Sequence, residues 1–298
     1  MAADRSQQGG GAASASRADL ARLQERVESL FAFDAAAMPA DAEHTVNELL
    51  DALEAGAVRA AERGDDGTWR AVPWVKRGIL LGFRVGRTVE QPAAGTPFHF
   101  FDKHTFPTRA LTLADNVRVV PGGSTVRRGA YIAAGVVCMP PMYANVGSWV
   151  GEATMIDSHA LVGSCAQVGA RVHLSAAAQL GGVLEPVNAS PVIVEDDVVI
   201  GGNCGVYEGT VVRERAVLAA GVVLTRGTPV FDLVNETVLR GTAERPLEIP
   251  AGAVVVPGAR AVKGGFAASE GLSLQTPVIV KYRDERTDVS TALEAWLR

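Results

Sequence analysis

The chain has 298 residues, 48% of them hydrophobic and 20% charged, a composition that belongs to a folded protein and excludes an extended disordered one. A formal net charge of −5 and a pI near 5.6 exclude the basic surface of a nucleic-acid binder, yet leave room for a local arginine to hold a carboxylate. No run approaches the roughly 18 apolar residues of a membrane span. The cysteines, Cys138, Cys165 and Cys204, lack CxxC spacing and predict reduced, packed thiols of a cytoplasmic protein.

In chain order, Met1 to Arg17 is rich in Ala, Gly, Ser and Gln and reads as a flexible tail without the apolar segment of a signal peptide. Leu20, Leu23, Val27, Leu30 and Phe31 then recur at three- and four-residue spacing, which predicts a helix from about Ala18. Val46, Leu49, Leu50 and Leu53 are the stripe of a second helix, expected from Ala42 to about Arg63. Asp65, Asp66 and Gly67 predict a turn, and Trp74 to Phe83 a third, short helix. From Arg87 to about Leu113, Pro92, Pro97 and Pro107 predict an irregular linker. His99 and His104 lie there, five apart; loop histidines are the reading favoured over a metal pair.

From about Val117 to Val256 the signal is a period of six. The first frame runs Val126, Ile132, Cys138, Ala144, Val150, Ile156, Val162, Val168, Leu174, Leu180. After a loop holding Pro186 and Pro191 the frame shifts by two and resumes as Val194, Ile200, Val206, Val212, Leu218, Leu224, Val230. All seventeen positions are apolar in a chain that is only half apolar, so the period is real. Four residues beyond each, mostly small side chains recur, among them Ala130, Ser148, Thr154, Ala160, Ala166 and Ala178, with Met142 the exception. Glycine often follows the ladder residue directly, as at Gly151, Gly163, Gly169, Gly181 and Gly201, and is expected to permit unusual backbone there. Six residues suit one short strand and a tight turn, so three units make a triangular coil whose ladder residues stack inside. The prediction is a mainly β protein, a parallel β-helix. A small helical unit precedes it and a strand-and-helix extension follows, with strands at Ile249–Pro257 and Pro277–Tyr282 and a helix at Thr291–Leu297. The expected division is 1–17 tail, 18–113 helical unit and linker, 114–258 coil, 259–298 extension.

Flat coil faces suit a closed assembly with clefts between copies, and residues that break the repeat are the candidates for chemistry. Asp157 follows ladder residue Ile156 and reads as a turn cap or a substrate contact. His159 and His173 read as packed surface residues or as acid–base groups. Glu185 and Glu208 stand beside glycine-rich turns, either solvated or proton-accepting. Arg118 enters the coil, suited to a carboxylate or to a surface ion pair.

The blocks RVVPGGSTVRRGAYIAAGVVCMPPMYANVGSWVGEATMIDSHALVGSCAQVG, VHLS and GGVLEPVNASPVIVEDDVVIGG resemble the tetrahydrodipicolinate N-succinyltransferase family. So do the helical segment through GILLGFR, the FDK at Phe101–Lys103, and PAGAVVVPG and PVIVK near the end. That resemblance implies a left-handed coil and a homotrimer. It implies transfer of succinyl from succinyl-CoA to the amine of tetrahydrodipicolinate, with no bound cofactor or metal and no nucleic-acid or membrane partner. It also implies that Arg118 binds a substrate carboxylate and that Asp157, matching the aspartate of the MVDTW block, contacts the reacting amine. Two positions depart from the family. Ser158–His159 stand where Thr–Trp is common, and a second acidic position falls on Gly205, with Glu208 matching a further glutamate three residues on. Glu208 or His159 is therefore the candidate for the remaining proton-handling role. Lys263 and Lys281 are candidates for the CoA phosphates by charge and position alone. The rival readings are an acetyl-CoA-dependent enzyme on the same substrate and a γ-carbonic-anhydrase-like metal hydratase, whose HxxxxH pair is matched only by His99 and His104, ahead of the coil.

Overall fold

The computed structural model describes residues 16–34, 37–92, 99–242 and 244–284. The expected tail, apart from its last two residues, and the closing helix at Thr291–Leu297 lie outside the described residues. Helix α1 (Arg17–Phe31) begins one residue before the expected start because Ser16 caps it: the Ser16 side chain accepts from the Asp19 amide, and Asp19 accepts from the Ser16 amide. Helix α2 (Ala42–Glu54) buries the expected stripe but stops short of Arg63. Gly56, at φ +71°, takes the left-handed conformation that closes a helix end. Ala61–Arg63 (β1) pairs instead with Trp69–Ala71 (β2) across the Asp65–Gly67 turn. Helix α3 (Pro73–Val85) opens on a proline, whose missing N–H is harmless in the first turn. The expected irregular linker holds a hairpin, Thr88–Pro92 (β3) against His99–Lys103 (β4). Pro92 is tolerated because a two-stranded ribbon has only edges.

The coil follows the period of six. Its strands fall on three parallel faces. Face one climbs from Arg118–Val119 to Val217–Leu218, face two from Thr125–Val126 to Val223–Leu224, and face three from Tyr131–Ile132 to Glu248–Ile249. Partners lie eighteen residues apart, as in Met155↔His173 and Leu161↔Gln179. All seventeen ladder residues are buried in one continuous core. A fully buried Val or Leu is worth roughly 1.5–3 kcal/mol, and each stacks on its equivalents above and below. Between Leu180 and Val194 an excursion leaves the corner between faces two and three, and pairing across it spans 26 residues (Gln179↔Gly205), eight more than the usual eighteen.

The glycines correct one expectation. Those directly after the ladder residue do not supply the unusual backbone; they supply closeness. A Cβ on Gly151 would lie 2.5 Å from the Gly169 carbonyl carbon, and one on Gly163 would lie 2.3 Å from the Gly182 nitrogen. The left-handed conformation falls two residues later, at Ala153, His159, Cys165, Arg171 and Ala177 among others, each with φ between +53° and +65°. Each corner needs one such residue, and the coil accepts non-glycine side chains there at a cost of about 1–2 kcal/mol each.

The expected strand at Ile249–Pro257 is two strands. Glu248–Ile249 completes face three, Gly252 (φ +67°) turns the corner, and Ala253–Ala261 joins face one. Ala253–Ala261 then pairs antiparallel with Ser273–Tyr282, longer than the expected Pro277–Tyr282, as a ribbon running off the coil.

Candidate functional site

The helical unit and the β1–β2 hairpin sit against the coil through a buried carboxylate. Glu195, 7% exposed, accepts hydrogen bonds from Trp69 Nε1 at 2.8 Å, Arg213 at 2.9 Å and the Glu214 amide at 3.0 Å. Burial opposes its charge, but these donors hold its carboxyl below the ordinary glutamate range. On the same face Tyr131 and Trp149 stack at 3.9 Å, and the Arg59 guanidinium lies 4.0 Å over Trp149. Face three is thereby covered. Helix α3 also sends the fully buried Lys76 to the carbonyl of Ala189, 2.6 Å away in the excursion after Leu180. Burial pushes its ammonium pKa down, and the bond ties the Glu185 loop to the helical unit.

The corner between faces one and two carries Asp157, Ser158 and His159. Its local fold follows the repeat: the Asp157 amide donates to the Leu174 carbonyl of the next coil, and Ala160 closes the turn on Asp157 O at 3.1 Å. The Asp157 carboxylate accepts from the Ser158 amide at 2.7 Å, the capping role open to a turn aspartate. Asp157 is half-buried, with one carboxylate oxygen engaged by that amide. His159 occupies the left-handed slot (φ +62°), its amide donating to Pro141 O at 2.7 Å and its imidazole exposed. The His159 carbonyl is held by Gln179 Nε2 at 2.9 Å, a contact the repeat pattern hides because Gln179 fills an ordinary outward slot.

Arg118 opens face one, exposed, and its strand pairs through Val137 to Met155. Two coil spacings, about 10 Å, separate it from the strand that leads into Asp157, so the structure brings Arg118 and Asp157 to one side of the coil. Glu208 stands elsewhere, at the corner between faces two and three, at φ +54°, its Oε2 accepting from the Arg226 amide at 3.0 Å. Within one copy, face two lies between Glu208 and Asp157. Glu208 instead borders a cavity of about 820 Å³ with Pro186, Ser190, Arg213, Arg226 and Arg245. The outward slot of Gly205 is filled by the ring of Tyr207, a residue that composition and spacing did not single out.

Lys281 pairs with Asp284 at 3.1 Å near the coil, while Lys263 is exposed beyond the far end of the ribbon. The ribbon separates them by roughly 25 Å, so one anionic group cannot take both. His99 Nδ1 lies 2.6 Å from Glu90, and His104 contacts Arg87 and Glu43. Among the described residues no three His, Cys, Asp or Glu gather at metal-binding distance. His173 lies on face one, half-buried, its strand between those of Met155 and Val199. The three cysteines are buried, and burial pushes the Cys138 and Cys165 thiols up to about 12, which removes them as nucleophiles. No described helix is long and apolar enough to cross a membrane.

Two family models match the chain. One is described as the N-terminal region of tetrahydrodipicolinate N-succinyltransferase, over residues 22–85, and the other as the hexapeptide repeat of succinyl-transferase, over residues 191–226. A 2,3,4,5-tetrahydropyridine-2,6-dicarboxylate N-succinyltransferase of Polynucleobacter asymbioticus is 42% identical over 264 residues, covering 87% of this chain and 91% of that protein. The protein of the same name from Bradyrhizobium diazoefficiens is 40% identical over 290 residues, covering 94% and 99%. Among solved structures, a putative 2,3,4,5-tetrahydropyridine-2-carboxylate N-succinyltransferase of Campylobacter jejuni aligns at TM-score 0.42 and 18% identity, covering 79% of this chain and 62% of that one.

Proposed function

This chain belongs to the tetrahydrodipicolinate N-succinyltransferase family, a CoA-dependent N-acyltransferase that carries succinyl from succinyl-CoA to the amine of tetrahydrodipicolinate, and from that premise we propose how its own residues act. The observation that carries the reading is identity of 42% over 87% of the chain, spanning helical unit and coil alike.

The cyclic imine first hydrates at its C=N carbon, which leaves the ring nitrogen a free amine. That nitrogen attacks the thioester carbonyl; the N–C bond forms, the C–S bond breaks, and CoA leaves as the thiol with the proton that the amine gives up. Ring opening then yields N-succinyl-2-amino-6-ketopimelate. Asp157 has an oxygen beyond the one capping Ser158, and it orients the amine and relays that proton. Arg118, on the same side of the coil, grips a substrate carboxylate by its planar fork and so holds the nucleophile in place. Glu208 or His159 completes the proton path. Lys281, and separately Lys263, are the cations offered to the CoA phosphates.

The active assembly is a cytoplasmic homotrimer in this proposal. Asp157 and Glu208 stand at different corners, and a threefold arrangement sets one copy's corner against its neighbour's face. Exposed apolar side chains, Leu233 and Val234 at the end of the coil and Leu274 and Val280 on the extension, suit burial between copies. In this scheme residues 18–113 form the cap, 114–258 the acyltransferase coil and 259–298 the extension.

Side-by-side assays with the two thioesters test the donor: succinyl-CoA should turn over, and faster turnover with acetyl-CoA would sink the donor assignment. Light scattering on the active protein should give three times the chain mass, and an active monomer would remove the shared site. Asp157→Asn should lower kcat by roughly 100-fold or more at saturating substrate; near-normal turnover would return Asp157 to a capping role.

A further inference from the structure

We propose that Tyr207 is a further catalytic residue of this reaction, its phenol hydroxyl donating a hydrogen bond to the thioester oxygen as negative charge gathers there. The proposal rests on the acyltransferase reading above and adds a residue to it.

The outward slots of face two run Thr125, Tyr143, Leu161, Gln179, Gly205 and Val223. Each sends its side chain away from the coil, while its neighbour, such as Val206, points into the core. Gly205 has nothing to send. Its slot is nevertheless filled, because the ring of Tyr207 folds back from the corner and lies across it. A Cβ built on Gly205 would stand 2.4 Å from Tyr207 Cε2 and 2.9 Å from both Cζ and the hydroxyl oxygen. The near edge of the same ring rests on a second glycine, since a Cβ on Gly181 would stand 2.7 Å from Tyr207 Cδ1. Two glycines on adjacent coils thus make a bare strip, and the aromatic ring lies on it. Gly205 is buried in consequence, although it holds an outward position.

This arrangement moves the phenol oxygen from the corner to the open face. Among the described residues no protein group hydrogen-bonds to it, whereas a phenol held against protein usually finds a partner. Its neighbours place it in line with the Asp157 corner. Gly205 pairs in register with Gln179, one coil spacing or about 4.8 Å away. Gln179 turns its amide the other way, to the carbonyls of His159 at 2.9 Å and Ala177 at 3.2 Å. Face two therefore carries the Gln179 amide on the side of the His159 corner and, one coil on, the Tyr207 hydroxyl over the slot of Gly205.

The chemistry of the site asks for a donor there. Attack of an amine on a thioester leaves the carbonyl oxygen negative until the C–S bond breaks, and a fixed O–H aimed at that oxygen lowers the barrier. A carboxylate in the slot of Gly205 could only accept. The phenol donates, so the exchange of an acidic residue for glycine plus an overlying tyrosine changes what this face offers the substrate.

Tyr207→Phe removes the hydroxyl and leaves the ring on both glycines. With succinyl-CoA and tetrahydrodipicolinate, kcat should fall roughly 10- to 100-fold, up to the low end of the loss seen for one such donor. Both KM values should stay within about twofold, because the lost bond exists only in the transition state. The melting temperature should not move. Unchanged kcat in the variant, or a raised KM with kcat intact, overturns the proposal. So does a lowered melting temperature with activity recovered on cooling, which would make the hydroxyl structural. An unmutated protein that fails to transfer succinyl at all would instead overturn the acyltransferase reading, so the two failures are told apart by the unmutated control.

Discussion

Faces two and three of the coil are made from the same six-residue unit and share one row of ladder residues, yet they meet their surroundings differently. Face three carries Tyr131, Trp149, Gln167, Ile193 and Val211 outward, and the helical unit and hairpin cover it, leaving the last three of these 1% exposed or less. Face two carries Gln179, Gly205 and Val223 outward, with Gln179 and Val223 part-exposed and the ring of Tyr207, from the coil itself, over Gly205. Inward residues thus decide that there is a coil; outward residues decide which face the helical unit covers and which stays part-exposed. The two roles are separable because strand neighbours point to opposite sides.

That separation can be broken most severely at what the faces share. Leu180→Ala should cost about 2–5 kcal/mol in urea or thermal unfolding, since a rigid stack cannot close over the cavity. Folding, rather than one face, should suffer. If the loss is below about 1 kcal/mol, the coil core is less tightly packed than its continuous burial implies.

A smaller effect should strike face three alone. Trp69→Phe keeps the packing against Ile193 and Val211 but takes one donor from buried Glu195, at a cost of about 1–3 kcal/mol. The pH dependence has a fixed sign. Because the native carboxyl of Glu195 is lowered from its ordinary 4.5, its stabilisation is fully present above that value. It is lost as pH falls through the native value. The variant should raise the native value and so lose stability at less acid pH than the parent protein. Acid unfolding curves that coincide would detach Glu195 from the docking of the hairpin.

The smallest effect should sharpen face two. His159→Gly relieves a side chain held at φ +62° and should stabilise the protein by about 1 kcal/mol or less. Its kcat then divides the two proton-handling candidates: an unchanged value leaves Glu208, and a large fall selects the imidazole.

Much of this was legible in the residues. The period of six specified the ladder, all of it buried, and the frame shift marked the excursion between Leu180 and Val194. The sequence overstates helix α2, because the apolar pattern runs on toward Arg63 while Gly56 stops the backbone. The pairing of β3 with β4 is hidden in the sequence, because Pro92 predicts a break yet is tolerated at the end of an edge strand. The glycines are visible in the sequence but their reason is not, for closeness between coils is a relation to a residue eighteen or more positions away and leaves no local mark.

What the sequence alone determined is the repeating unit and its family, because a coil core is a local pattern: each residue's inward or outward direction follows from its place among six. The tertiary structure alone decided what lies over the outward slots. The tilt of Tyr207 onto Gly205 and Gly181, the reach of Gln179 to the His159 carbonyl, and the closure of Trp69 on Glu195 all join residues from different coils or from the cap. Such contacts depend on which side chain is short enough to leave room and which is long enough to cross, and only the stacked coils set that distance.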